Sequence, residues 1–168
     1  MVTTTSPRVV RSFVITVLVL PLLASATALL FQVSWLGELP DPAAVHWGAG
    51  GQPDGFGAAW TFPAVTAGLG LGLPLLVAMT TLPMLRRGAR GGAFRFMGAF
   101  ALGMSVFIVT LNTWSVALQR GLASSTDAPS ILPGMLAAFG IGAVTGTADR
   151  AAALLTGLAV RASSRKAG

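Results

Sequence analysis

Long apolar runs separated by short polar segments dominate the pattern of the chain. The runs cover residues 12–35, 60–85, 94–118 and 131–148. Each of the first three provides the ~20 apolar residues that a helix needs to cross a bilayer core of ~30 Å. The fourth ends before Asp149 and reaches only ~27 Å by helical rise, so it is the weakest of the four. The pattern predicts an all-α integral membrane bundle of four transmembrane helices.

The two ends of the chain each admit a second interpretation. Ala24, Ser25 and Ala26 follow a Leu-rich stretch and imitate the cleavage site of a secretory signal peptide. We favour an uncleaved first helix, because the apolar run continues beyond these residues to Val33. Residues 149–168 are predicted to form a basic cytoplasmic tail, whose segment 151–160 is expected either to continue the fourth helix or to lie along the inner membrane surface.

Composition supports one membrane domain over residues 1–168. Hydrophobic residues make up 54% of the chain and charged residues 10%, which is too few charges for a water-soluble surface. The net charge of +6 does not indicate nucleic-acid binding, because the basic residues lie in short clusters beside the apolar runs. The absence of cysteine excludes disulfides and thiolate chemistry.

The loops carry a clear charge asymmetry. Arg120 alone lies on one side of a four-span arrangement, and ten basic residues lie on the other, namely Arg8, Arg11, Arg86, Arg87, Arg90, Arg95, Arg150, Arg161, Arg165 and Lys166. Cytoplasmic loops are the basic ones, so both termini are predicted in the cytoplasm of a bacterial plasma membrane. The tryptophans fall near the outer ends of the spans, at Trp35, Trp47, Trp60 and Trp114. We interpret them as anchors at headgroup depth in preference to ligand-stacking rings.

Small residues recur every four positions in two spans, at Gly68, Gly72, Gly134, Ala138, Gly142 and Gly146. Such faces let helix backbones approach closely, either within one subunit, which we favour, or across a homo-oligomer seam. Asn112 is interpreted as a helix-to-helix hydrogen bond. No Asp, Glu, His or Lys lies within a predicted span, which argues against proton relays and voltage sensors.

Residues 39–57, between the first two spans, contain five glycines and three prolines. This density predicts an ordered, outward-facing loop of successive turns. Pro53, Asp54 and Gly55 form a strong turn tripeptide, in which Gly55 is expected at positive φ and Asp54 as the acceptor that closes the turn.

The same loop carries a family signature. Its residues are Leu39, Pro40 and Asp41, then Val45, His46 and Trp47, then Gly51, Gln52, Pro53, Asp54, Gly55, Phe56 and Gly57. This pattern resembles the bacterial membrane family called domain of unknown function 1648, which includes the N-terminal region of immunity proteins against the sporulation-delay toxin. The resemblance implies a membrane protein and an immunity-like role in the envelope.

The candidate binding residues of the loop are Asp41, His46, Trp47, Gln52 and Asp54. Leu39, Pro40, Gly51, Pro53, Gly55 and Gly57 are assigned to its structure. Three interpretations of His46 stay open: a hydrogen bond that ties the loop together, which we favour, a pH-sensitive contact, or a metal ligand together with the carboxylates of Glu38, Asp41 and Asp54. No serine lies in a triad motif, and neither a metal nor a cofactor is predicted.

These observations favour a non-enzymatic plasma-membrane protein whose outward loop recognises a protein or peptide, in protection, immunity or signalling. Its other partner is the lipid bilayer itself. The alternatives are a small transport component, suggested by the proline-rich second span, and an accessory subunit of a larger membrane complex.

Overall fold

The computed structural model describes residues 7–89 and 91–147. Within them, three helices are long and apolar enough to cross a membrane: α1 (Pro7–Glu38), α2 (Thr61–Arg86) and α3 (Gly92–Gln119). A shorter apolar helix, α4 (Leu132–Thr147), follows. The predicted apolar helices are therefore confirmed. The tail at 149–168 lies outside the described residues.

Helix α2 runs antiparallel to α1 and α3. Near one end of the bundle, Val17 of α1 packs with Val77 of α2 and Ala101 of α3. At the other end, Phe62 of α2 and Val116 of α3 pack beneath the segment that joins α1 to α2. The exposed arginines Arg8, Arg11, Arg86, Arg87 and Arg95 therefore lie at the end opposite that segment, as the charge pattern predicts.

Two prolines are accommodated by wide turns inside the helices. The π-helical segments Ile15–Val19 and Thr66–Leu71 precede Pro21 and Pro74. A proline has no N–H for the carbonyl four residues earlier, which for Pro74 is that of Gly70. Ser105 Oγ of α3 donates to this carbonyl instead, at 2.9 Å. A neighbouring helix thus replaces the hydrogen bond that the proline removes.

The small face of α4 packs against α3 of the same chain. A Cβ at Gly142 would lie 2.8 Å from the carbonyl oxygen of Gly103, and a Cβ at Gly146 would lie 3.0 Å from that of Ala99. Ala138 is fully buried, and a Cβ at Gly134 would overlap the Trp114 ring. For α4, the interpretation of packing within one subunit is the one that the structure shows.

In the second span, Gly68 and Gly72 do not form the favoured close packing within one subunit among the described residues. Cβ atoms at Gly68 and Gly72 would meet no atom within 4 Å, whereas one at Gly70 would lie 2.9 Å from Ser25 Oγ. The π-helical turn changes the angular step along α2, so Thr66 and Gly70 are the buried residues of this segment. Asn112 also differs from its prediction, because it donates to the Ile108 carbonyl of its own helix at 3.0 Å.

The segment between α1 and α2 contains a β-hairpin, which the prediction of successive turns missed. Strands β1 (Ala43–Trp47) and β2 (Pro53–Gly57) pair antiparallel, with irregular register on both sides of His46. The tight turn lies earlier than predicted, where Gly48 N–H donates to the Gln52 carbonyl at 2.9 Å.

Asp54 and Gly55 therefore belong to β2 and form no turn, and Gly55 does not have positive φ. Gly and Asp occur at bulges as well as at turns, so a composition rich in them does not distinguish an irregular hairpin from a series of turns.

Candidate functional site

The hairpin is fixed to the bundle by one buried amide. Gln119, at the last position of α3, is fully buried. Its Oε1 accepts from the Ala44 backbone N–H at 2.7 Å, and its Nε2 donates to the Ala44 carbonyl at 3.0 Å. Nε2 also donates to the Ser115 carbonyl at 3.0 Å. The side-chain amide thus pairs with β1 as the peptide group of a third strand would.

A second tie joins the ends of α1 and α3. Arg120 Nε and Nη2 donate to Glu38 Oε2 at 2.9 and 2.8 Å. The guanidinium also lies 4.3 Å from the centre of the Trp35 ring, within the range of a cation–π contact. The Gly121 N–H donates to the Glu38 carbonyl at 2.8 Å. Arg120, the one basic residue predicted on this side, therefore helps to hold the ends of α1 and α3 together.

A third tie connects the hairpin turn to the start of α4. The Ile131 N–H donates to the Gly51 carbonyl at 3.1 Å, and Gly51 has φ +75°. A Cβ at Gly51 would overlap Ser130 Oγ and lie 2.6 Å from Leu132 Cγ. Both the backbone conformation and the close contact therefore require glycine at this position.

His46 and Asp54 face each other across the two strands. His46 Nδ1 and Asp54 Oδ1 are 2.5 Å apart, in a hydrogen bond that becomes an ion pair when the imidazole is protonated. The structure thus contains the bond within the loop that the sequence analysis favours. The side chains are 72% and 53% exposed, so the contact adds only about 0–1 kcal/mol to stability.

Gly55 makes this pairing feasible. It lies opposite His46 in the hairpin, and a Cβ at Gly55 would lie 2.7 Å from His46 Cβ. The residue is needed for the close approach of the strands and not, as predicted, for positive φ.

Asp54 and Phe56 alternate with half-buried residues along β2, so they lie on its exposed face. The Phe56 side chain, 44% exposed, adds an apolar surface to a face that also carries a hydrogen-bonded acid. We call His46, Asp54 and Phe56 the hairpin face.

The other predicted binding residues lie elsewhere. Asp41 and Gln52 are exposed, and Glu38 is bonded to Arg120 instead of His46. Trp47 packs partly buried on the apolar cluster beneath the hairpin, together with Trp35 and Leu39. Trp60 and Trp114 remain exposed at helix ends. In the described part of the chain, no three His, Cys, Asp or Glu side chains form a group that could hold a metal ion.

The loop residues assigned to structure also lie in different parts of the segment. Pro40 is half-buried beside Leu39, while Pro53 and Gly57 lie half-buried in β2. Gly51 and Gly55 carry the steric requirements described above.

Residues 16–67 match a family model described as Domain of unknown function (DUF1648). The match covers 52 of the 168 residues. The match extends from α1 through the hairpin into α2, and so includes the whole hairpin face but neither Gln119 nor Arg120. The family recognised in the loop sequence is thereby confirmed. No curated protein and no solved structure matches the chain.

Sequence reasoning missed Gln119 and did not include Phe56 among the binding candidates. Gln119 lies just beyond the predicted third span, and its partner is a backbone, which no side-chain pattern reveals. The exposure of Phe56 follows from the alternation along β2, which a prediction of turns could not provide.

Proposed function

We propose that this chain is a non-enzymatic protein of the bacterial plasma membrane that recognises a protein or peptide partner through the hairpin face. The observation that carries the proposal is that the hairpin is held by buried bonds to its backbone and exposes other side chains. Buried bonds from Gln119 hold its backbone, while His46, Asp54 and Phe56 remain exposed. A surface whose backbone is held by buried bonds binds at a low cost in conformational entropy.

The orientation of the chain is part of the proposal. The arginines at the end opposite the hairpin favour a cytoplasmic location for that end, with both termini inside. The hairpin face then points away from the cytoplasm, where it meets molecules that act on the cell envelope. Protection or immunity against such a molecule is the role that we expect.

The chemistry of the face indicates the kind of partner. An imidazole, a carboxylate and a phenyl ring offer hydrogen bonds, one negative charge and an apolar contact within a single small surface. This combination suits a polypeptide with a basic or amide-bearing side chain beside an apolar one. Aromatic residues are enriched at the centres of protein interfaces for the same reason.

Site-specific crosslinking in living cells tests this function. A photo-reactive residue placed at Phe56 should give a discrete adduct with a polypeptide, and the same residue placed at Ala89, at the other end of the bundle, should not. His46→Ala and Asp54→Ala should remove the adduct at unchanged membrane abundance, whereas Asp127→Ala should preserve it. The proposal fails if no adduct forms at Phe56, or if the adduct survives both hairpin substitutions.

A further inference from the structure

Three polar oxygens are buried in the bundle without a hydrogen-bonding partner among the described residues. They are Ser25 Oγ and Gln32 Oε1 of α1, and Thr66 Oγ1 of α2, and all three residues are fully buried. An unpaired polar group costs several kcal/mol in a hydrocarbon environment, because bulk water does not reach it. Three such groups in one small bundle therefore call for a shared explanation.

The three oxygens belong to one interface. Ser25 lies level with Gly70 of α2 and Ser105 of α3, because Ser105 Oγ bonds the Gly70 carbonyl and a Cβ at Gly70 would lie 2.9 Å from Ser25 Oγ. Gln32 lies seven residues further along α1, where its Nε2 donates to Thr113 Oγ1 of α3 at 3.1 Å. The first level thus connects α1 to α3 through Gly70 of α2, and the second connects them directly.

Thr66 lies between these two levels. It precedes Gly70 by four residues on the antiparallel helix α2, about one turn nearer the hairpin. Seven residues of α-helix rise about 10 Å, so successive oxygens are spaced by roughly 5 Å along the bundle axis. That spacing is close to twice the ~2.8 Å of a single hydrogen bond, the distance that one bridging molecule covers.

We propose that water molecules bind between α1, α2 and α3 and bridge Ser25, Thr66 and Gln32. Neutral oxygens of two hydroxyls and one amide can bond water but supply no charge to hold an ion deep in a membrane. A buried water makes about three hydrogen bonds to polar groups of this kind. The π-helical turn of α2, which orients Thr66 and Gly70 into the bundle, belongs to the site. All three residues lie within the segment 16–67 that matches the family model.

The direction in which one substitution shifts the midpoint of thermal unfolding distinguishes a hydrated interface from a dry one. Thr66→Val removes the hydroxyl and keeps the shape of the side chain. In a dry interface it removes an unsatisfied group and raises the midpoint of thermal unfolding. In a hydrated interface it breaks the water bridges, and the midpoint in bilayers falls by about 2–4 °C.

Thr80→Val is the matched control, because Thr80 is exposed on the same helix and bonds the Leu76 carbonyl of its own turn. The control should leave the midpoint nearly unchanged.

Water-edited solid-state NMR of the full chain in bilayers provides the direct measurement. Magnetisation should pass from water to the side chains of Ser25 and Thr66 in the native protein. Thr66→Val should remove the transfer at Ser25, and Ser25→Ala should remove it at Thr66. Absence of transfer at both sites in the native protein overturns the proposal, and so does a higher midpoint in Thr66→Val.

Discussion

The hairpin contains two polar contacts of opposite character. Gln119 bonds β1 from beneath in a fully buried site, whereas His46 and Asp54 bond each other in an exposed one. Loss of a buried partner leaves backbone groups unsatisfied, at about 1–3 kcal/mol each, while loss of an exposed ion pair costs about 0–1 kcal/mol. Gln119 thus holds the hairpin in place, whereas His46 and Asp54 are the exposed side chains through which we propose that the hairpin meets a partner.

Removing the buried amide should have the largest effect on stability. Gln119→Leu leaves the N–H and carbonyl of Ala44 without their side-chain partner, so the free energy of unfolding should fall by on the order of 2–4 kcal/mol. Thermal unfolding in detergent measures the loss. Gln52→Leu is the control, because the Gln52 side chain is exposed, and it should change stability little. An equal effect of the two substitutions would contradict the anchoring role of Gln119.

The turn should be the next most sensitive position. Gly51→Ala introduces a Cβ at positive φ that also overlaps Ser130, and should cost about 1–3 kcal/mol. Gly50→Ala is a matched control in the same turn, where a Cβ would meet no atom within 4 Å. Unfolding midpoints of the two variants provide the comparison, and a Gly51→Ala protein as stable as Gly50→Ala would exclude a strained turn.

Arg120 should have an intermediate effect. Arg120→Gln removes the bond to Glu38 and the contact with Trp35, both partly exposed, and should cost about 0.5–1.5 kcal/mol. Arg95→Gln, an exposed arginine at the opposite end, should cost less in the same thermal assay. Part of the expected loss should disappear in high salt if the ion pair contributes, because salt screens exposed charges. A loss no greater than that of Arg95→Gln would contradict the claim that Arg120 stabilises the junction of α1 and α3.

The exposed pair should affect stability least and recognition most. His46→Ala and Asp54→Ala should each change the unfolding midpoint by no more than the ~1 kcal/mol of a surface ion pair. Because they share one contact, the double variant should be no less stable than either single variant. A large, additive loss would show that both residues are structural, and would remove the main support for the hairpin face.

The sequence was sufficient to predict the helices, because apolar runs of this length leave a polypeptide few other structures. It also identified the pairing of His46 with the loop and the small face of α4. It was insufficient for the hairpin, whose Gly, Pro and Asp residues are used at bulges as well as turns. It was also insufficient for the ties that fix the hairpin, because Gln119 recognises a backbone and Gly70 is buried only through a π-helical turn.

Amide hydrogen exchange in lipid nanodiscs is the most direct test of the anchoring that underlies the account. In Gln119→Leu, residues 43–57 should exchange much faster than in the native protein, while the central turns of α1 and α3 stay protected. In His46→Ala, the same hairpin amides should keep their native protection. Hairpin exchange that is unchanged by Gln119→Leu, or accelerated as strongly by His46→Ala, would contradict the division between a buried anchor and an exposed recognition surface.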